Sequence, residues 1–225
     1  PISIRAIDEA LARDRVLLIV SQRDKEVETP RPSDLFEVGT ACNILKMRKN
    51  PDGSVQVLVQ AFARVRVRER LDLGDHLEAR GEVLADEPGE PILVKALVRE
   101  VKDKFQALLK EGKYLAPEVA QFILNLEDPS QLADYVAFHM DFRLEDKQKV
   151  LETANVAERL RAVLVLLEAE LALIETQRRI QQQVKEEIDR NQREYFLREQ
   201  MKAIQRELHG EEGEQEVEEF RRKLE

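Results

Sequence analysis

The sequence predicts an α+β fold of more than one domain: a small, mainly antiparallel β-barrel-like domain, then a helical bundle that continues into one long projecting helix. Three observations carry this. Apolar residues alternate with the two-residue period of a strand from Val55 to Val67 and again from Leu77 to Ala85, and from Leu93 their spacing lengthens to the helical ~3.6. Between Pro129 and Gly210 there is neither glycine nor proline to break a helix.

Along the chain, Ile4, Ile7 and Leu11 recur on one face of a first helix over about 3–13, with Ser3 as its N-cap. Val16–Val20 reads as a buried strand, and residues 21–34, with two prolines, as an exposed loop. A second strand over 36–49 leads into Asn50-Pro51-Asp52-Gly53, whose residue types suit a tight hairpin turn. The returning strand places Val55, Val57, Val59, Ala61, Ala63, Val65 and Val67 on one side, expected to be core. A further strand spans 76–85. Leu93, Leu97, Val101, Phe105 and Leu108 open the helical part, Pro117 and Pro129 suit first helical turns, and Asp128 and Asp146 are helix-start signals. The domains expected are therefore 1–88 (β-rich), 89–174 (helical) and 175–225 (distal helix and acidic linker).

A helix over 155–208 would extend about 80 Å at ~1.5 Å per residue, longer than a small domain is wide, so its far half is expected to project. That half carries Ile180, Val184 and Ile188, then Tyr195, Phe196, Leu197, Met201, Ile204 and Leu208. Such a stripe suits a coiled-coil or intersubunit seam better than a ligand box. The acidic run 211–219 reads as a loop or loose helix.

Composition narrows the function. Charged residues reach 36%, against a typical ~25%, and the formal charge is −9, which opposes a chain-wide basic surface for nucleic acid or anionic lipid. A single cysteine, Cys42, forms no intrachain disulfide, the opening residues resemble no secretory leader, and the longest apolar runs, Val16–Val20 and Ala162–Leu167, fall far short of a membrane span. A cytoplasmic setting without membrane contact is expected.

Catalysis finds no apparatus. The eight glycines form neither a phosphate loop nor a Gly-x-Gly turn, and His76, His139 and His209 fit no metal-binding spacing. None of the five serines sits in Gly-x-Ser-x-Gly, and neighbouring acids such as Glu186 and Glu187 point apart on a helix. No catalytic, cofactor or metal residue is expected.

Four segments resemble the amino-terminal region of the bacterial Lon protease family: Asp34–Thr40 (DLFEVGT), Pro51–Val59 (PDGSVQVLV), Asp146–Glu152 (DKQKVLE) and Asn191–Leu208 (NQREYFLREQMKAIQREL). The last is highly specific, and the order and spacing of all four agree with the family. The resemblance implies a β domain similar to the pseudouridine-synthase-associated barrel, a helical subdomain and a long helix leading to an ATPase module. It implies a hexameric ring, with ATP, Mg²⁺ and a Ser-Lys proteolytic dyad all belonging to parts of the protein beyond Glu225. The family ordinarily begins with a Leu-Pro-Leu-Arg-type strand region, for which this chain has no counterpart before Pro1. The barrel is therefore expected to lack one or two strands and to have an open edge.

The resemblance makes this chain a recognition and assembly region that engages unfolded or damaged proteins. Such a receptor needs a shallow, tolerant apolar surface. Candidate contacts are Leu58 and Phe62, apolar on an otherwise polar strand face, with Met47 on the neighbouring strand; the alternative is that a second layer buries them. Tyr195, Phe196 and Met201 form a second candidate patch, whose alternative is packing between subunits. A purely structural strut is the second reading. Nucleic-acid binding is the third, prompted by Arg64, Arg66, Arg68 and Arg70 and by Arg178, Arg179, Lys185, Arg190 and Arg193, but it is weakened by missing aromatic residues and interspersed acids.

Overall fold

The computed structural model describes residues 2–28, 30–74, 76–111, 115–208 and 222–223; the acidic run 211–219 lies outside them. The chain divides into two compact units, 1–171 and 172–225. The first holds a four-stranded antiparallel sheet and a helical bundle.

Helix α1 (Ile2–Ala12) precedes β1 (Val16–Ile19), β2 (Val38–Lys49), β3 (Val55–Asp72) and β4 (Leu77–Val83), which lie side by side in the order β1-β2-β3-β4. The sheet is open, with β1 and β4 at its edges, and does not close into the expected barrel. The β2–β3 hairpin turns where Gly53 adopts φ +83°, a conformation that costs glycine little. Asp52 accepts hydrogen bonds from the Ser54 amide (2.9 Å) and hydroxyl (2.7 Å), and these hold its carboxyl below the usual value.

The odd-numbered face of β3 departs from expectation. Only Val67 is buried; Val55, Val57, Val59, Ala63 and Val65 are half-buried and Ala61 is exposed. At 18 residues β3 outruns the seven-residue β4. Val57 and Val59 line a cavity of about 1030 Å³ whose walls also include Ala6, Ile7 and Ala10 of α1. The sheet's buried side chains gather nearer its base, at Val38, Ala41, Cys42 and Ile44. Cys42 is the small buried residue expected of it, and burial pushes its thiol pKa up.

The helices are α2 (Pro91–Lys110), α3 (Pro117–Leu124), α4 (Pro129–His139), α5 (Leu144–Glu152) and α6 (Val156–Leu208). Their 3.6-residue stripes meet in one core of Leu97, Val101, Phe105, Ile123, Leu132 and Leu160. Proline stands at the first turn of α2, α3 and α4, and Asp128 caps α4 by accepting from the amides of Ser130 (2.8 Å) and Gln131 (3.2 Å). Asp146 lies inside the first turn of α5, where it pairs with Arg143 rather than capping the helix.

The segment between β4 and α2 is clipped onto the start of α6. The Glu87 amide donates to the Ala154 carbonyl and the Val156 amide to the Glu87 carbonyl, both at 3.0 Å. A Cβ at Gly89 would come within 2.6 Å of Ala157, so only glycine allows this approach. Beside it, Arg159 has no solvent exposure. Its guanidinium donates to Asp86 (2.6 Å), Ser130 Oγ (2.8 Å) and the carbonyls of Thr153 (2.8 Å) and Ala154 (3.2 Å). Arg64 of β3 joins through Asp86 (2.9 Å) and Asp134, and Gln148 of α5 donates to the Val38 carbonyl of β2 (2.9 Å).

Burial works to raise the Asp86 carboxyl, but hydrogen bonds from Arg159 and Ser130 and the charges of Arg159 and Arg64 outweigh it, leaving the pKa below the usual 3.8. A carboxylate depressed on folding stabilises fully above its unfolded pKa, and this contribution disappears as pH falls through the lower folded value. Asp86→Asn leaves Arg159 with only the more distant Asp134 carboxylate, at 3.8 Å, and is expected to cost about 3 kcal/mol at neutral pH. The gap between variant and parent should begin to narrow below about pH 4 and close as pH falls through the lower folded value, as read by denaturant unfolding across pH.

Candidate functional site

Residues 55–63 of β3 (VQVLVQAFA) contain no charged residue, proline or glycine, in a chain that is 36% charged. Leu58 is 59% and Phe62 55% exposed, and among the described residues no second layer covers them. Two register shifts shape this surface. One, between Ile44 and Lys46, leaves Leu45 without a cross-strand partner; the other, between Ala41 and Cys42, does the same to Phe62. Leu45 is also more than half exposed.

Register separates the third candidate from the first two. Met47 lies opposite Val57, whereas Leu58 lies opposite Lys46, so Met47 and Leu58 point to different faces of the sheet. Met47 is half-buried on the side where Val57 lines the cavity. Leu45, which the sequence reading passed over, takes its place as the exposed apolar residue on β2. A shift in strand register has no signature in composition, so nothing in the sequence distinguished the two.

On the Leu58 face, the cross-strand pairs Asn43–Gln60, Lys46–Leu58 and Arg48–Gln56 place two cations beside neutral side chains. Lys46 and Arg48 are both exposed. Lys49, on the opposite face, is tied to Asp8 of α1 at 3.1 Å.

In the second unit every residue from 175 to 207 of α6 is exposed. Tyr195, Phe196 and Met201 are each more than 60% exposed, and Ile180, Val184 and Ile188 continue the stripe at four-residue spacing. Ion pairs along the helix, such as Lys202–Glu199 at 2.9 Å, are exposed and contribute little.

Three of the four strand arginines are engaged within the chain. Arg64 pairs with Asp86 and Asp134, Arg68 with Glu82, and Arg70 donates to the Phe36 carbonyl at 3.0 Å. The hydrogen bond from Arg68 holds the Glu82 carboxyl below its usual range. Among the described residues no group of acidic, histidine or cysteine side chains is placed to hold a metal ion, and no helix is long and apolar enough to cross a membrane.

The chain that folds into this open sheet and helical bundle matches the family described as the ATP-dependent protease La (LON) substrate-binding domain over residues 1–169. The chain belongs to the Lon protease family. It is 40% identical over 206 residues to the Lon protease of Escherichia coli (strain K12), covering 92% of this chain and 26% of that protein. It is 44% identical over 229 residues to Lon protease 1 of Thermus thermophilus, covering 99% and 28% respectively. The chain thus spans about a quarter of the length of these relatives. The solved N-terminal domain of Mycobacterium avium complex Lon protease superposes with a TM-score of 0.60 at 25% identity, covering 73% of this chain and 84% of that one.

Because Leu58 and Phe62 support no core, replacing both with serine should leave the thermal midpoint within about 2 °C of the parent by calorimetry. Ile44→Ala, at a buried position on the neighbouring strand opposite Val59, should cost about 3 kcal/mol.

Proposed function

We propose that this chain is the substrate-recognition and assembly region of a Lon-type ATP-dependent protease, and that it engages exposed apolar segments of misfolded, damaged or selected short-lived proteins. The observation carrying this reading is the uncharged stretch 55–63 with Leu58 and Phe62 open to solvent. An unfolded client differs from its folded form by exposed apolar side chains and unpaired backbone, which such a surface can accept without demanding one sequence. Single contacts are weak; in the homohexamer expected of the whole protein, several copies acting on one client would add ~10²-fold or more through avidity. Catalysis belongs outside this chain, with ATP and Mg²⁺ at an ATPase module and a Ser-Lys dyad in a protease domain. The setting is cytoplasmic, and the sheet would be the incomplete counterpart of the pseudouridine-synthase-associated barrel.

A second reading rests on α6. The exposed stripe from Ile180 through Ile204 suits a coiled-coil seam or strut that spaces subunits without touching clients. In that reading Tyr195, Phe196 and Met201 pack between copies.

Titration of the 225-residue chain with one protein in denatured and native forms separates the two. Recognition requires preference for the denatured form, and Leu58→Ser with Phe62→Ser should weaken that binding about tenfold, the transfer energy of roughly one exposed apolar side chain. Equal or absent binding to both forms leaves the strut.

A further inference from the structure

Helices α3 and α4 pack on each other and on α2, and α4 packs also on α5. Across this pair runs a line of aromatic rings. Phe122 of α3 meets Tyr135 of α4 edge-on with ring centres 5.1 Å apart, Tyr135 stacks with His139 at 6.3 Å, and His139 meets Phe138 edge-on at 4.9 Å. The core of the same two helices is supplied by Ile123, Leu132 and Val136, so the rings are not needed there. Phe138 is 75%, Phe122 49% and Tyr135 38% exposed. A contiguous exposed apolar patch of this kind marks a binding surface.

The charge around the rings has one sign. The chain carries 36 Lys and Arg residues, yet none falls within 115–142, which holds the carboxylates of Glu118, Glu127, Asp128, Asp134 and Asp141. Asp134 is taken by Arg64 and Asp128 by the α4 cap. Glu118, Glu127 and Asp141 are exposed, and among the described residues their side chains form no ion pair or hydrogen bond. Glu118 stands one turn before Phe122, on the same face of α3. The cations that follow are engaged: Arg143 with Asp146 at 2.9 Å, and Lys147 with the Phe138 carbonyl at 3.3 Å. Ring faces attract cations, and an adjacent carboxylate reinforces the attraction.

Resting on the recognition reading above, we propose that the α3–α4 surface is a second client site, on the bundle rather than the sheet, whose occupant is a segment of unfolded polypeptide in which Lys or Arg adjoins aromatic residues. The occupant's rings extend the line at Phe122 and Phe138, and its cations sit over open ring faces and against Glu118. The sheet face around Leu58 has the opposite bias, since Lys46 and Arg48 are exposed on it. Neutral or acidic segments suit that face and basic ones the bundle, so one receptor accepts clients of either charge.

The test uses the 225-residue chain and a fluorescein-labelled peptide, Ala-Lys-Phe-Arg-Tyr-Lys-Phe-Arg-Ala, followed by anisotropy beside a denatured acidic protein as control. Replacing every Lys and Arg of the peptide with Glu should weaken binding about tenfold. On the protein, Phe138→Ala with Glu118→Gln, both at exposed positions, should keep the thermal midpoint within about 2 °C and weaken the basic peptide about tenfold. The same variant should bind the denatured acidic protein as the parent does. Equal binding of the basic and acidic peptides, or of the basic peptide to variant and parent, overturns the bundle site while recognition stands. So does a basic peptide that fails to bind beside a control that binds. Failure of both peptide and denatured protein overturns recognition itself. A concentration-dependent dimer in light scattering that Phe138→Ala abolishes, and that excludes the peptide, overturns the client as occupant and assigns the surface to a second copy.

Discussion

A guanidinium shut away from water is tolerated only where nearly all its N–H groups find acceptors, and Arg159 meets that condition with Asp86, Ser130 and two carbonyls at the start of α6. These partners come from the segment after β4, the first turn of α4 and the approach to α6. Asp86 also holds Arg64 of β3, so satisfying one buried cation fixes the sheet against the helices. With the backbone clip at Glu87 and the close approach of Gly89, the connection between strands and helices is set by several short contacts rather than left to a free linker.

Along the β2–β3 hairpin this attachment coexists with exposed apolar side chains. Val38, Ala41, Cys42 and Ile44 are buried, and Gln148 reaches across to the Val38 carbonyl. On the same stretch Phe62, across from Ala41 and Cys42, and Leu58, next to the Ile44 partner Val59, are more than half exposed. Burial and exposure therefore alternate along the same two strands.

Much of the architecture was legible in the residues. Helical spacing from Leu93, the prolines at the starts of α3 and α4, the Asp128 cap and the Asn50–Gly53 turn each act through local chemistry, and each appears where the sequence places it. The strand faces were less legible. Alternation identifies two sides but cannot say how deeply either is covered, and β3's odd face lies over a cavity rather than a packed layer. Two bulges change which residues share a side, and this is why Met47 parts from Leu58 and Leu45 emerges instead. The Arg159 cluster was not anticipated at all: Asp86 and Arg159 stand 73 residues apart, and neither differs in sequence context from the many surface charges around it.

The buried cluster also constrains how this region can diverge over generations. Arg64 and Arg159 share Asp86 and Asp134, so losing any one of the four leaves an uneven set of charges, and each single change passes through a weakened intermediate. Positions 64, 86, 134 and 159 form a unit in which drift must be concerted, with joint replacement by well-packed apolar residues the open route. Exposed Leu58 and Phe62 bear no such linkage, and there inheritance is free to alter the surface without disturbing what holds it.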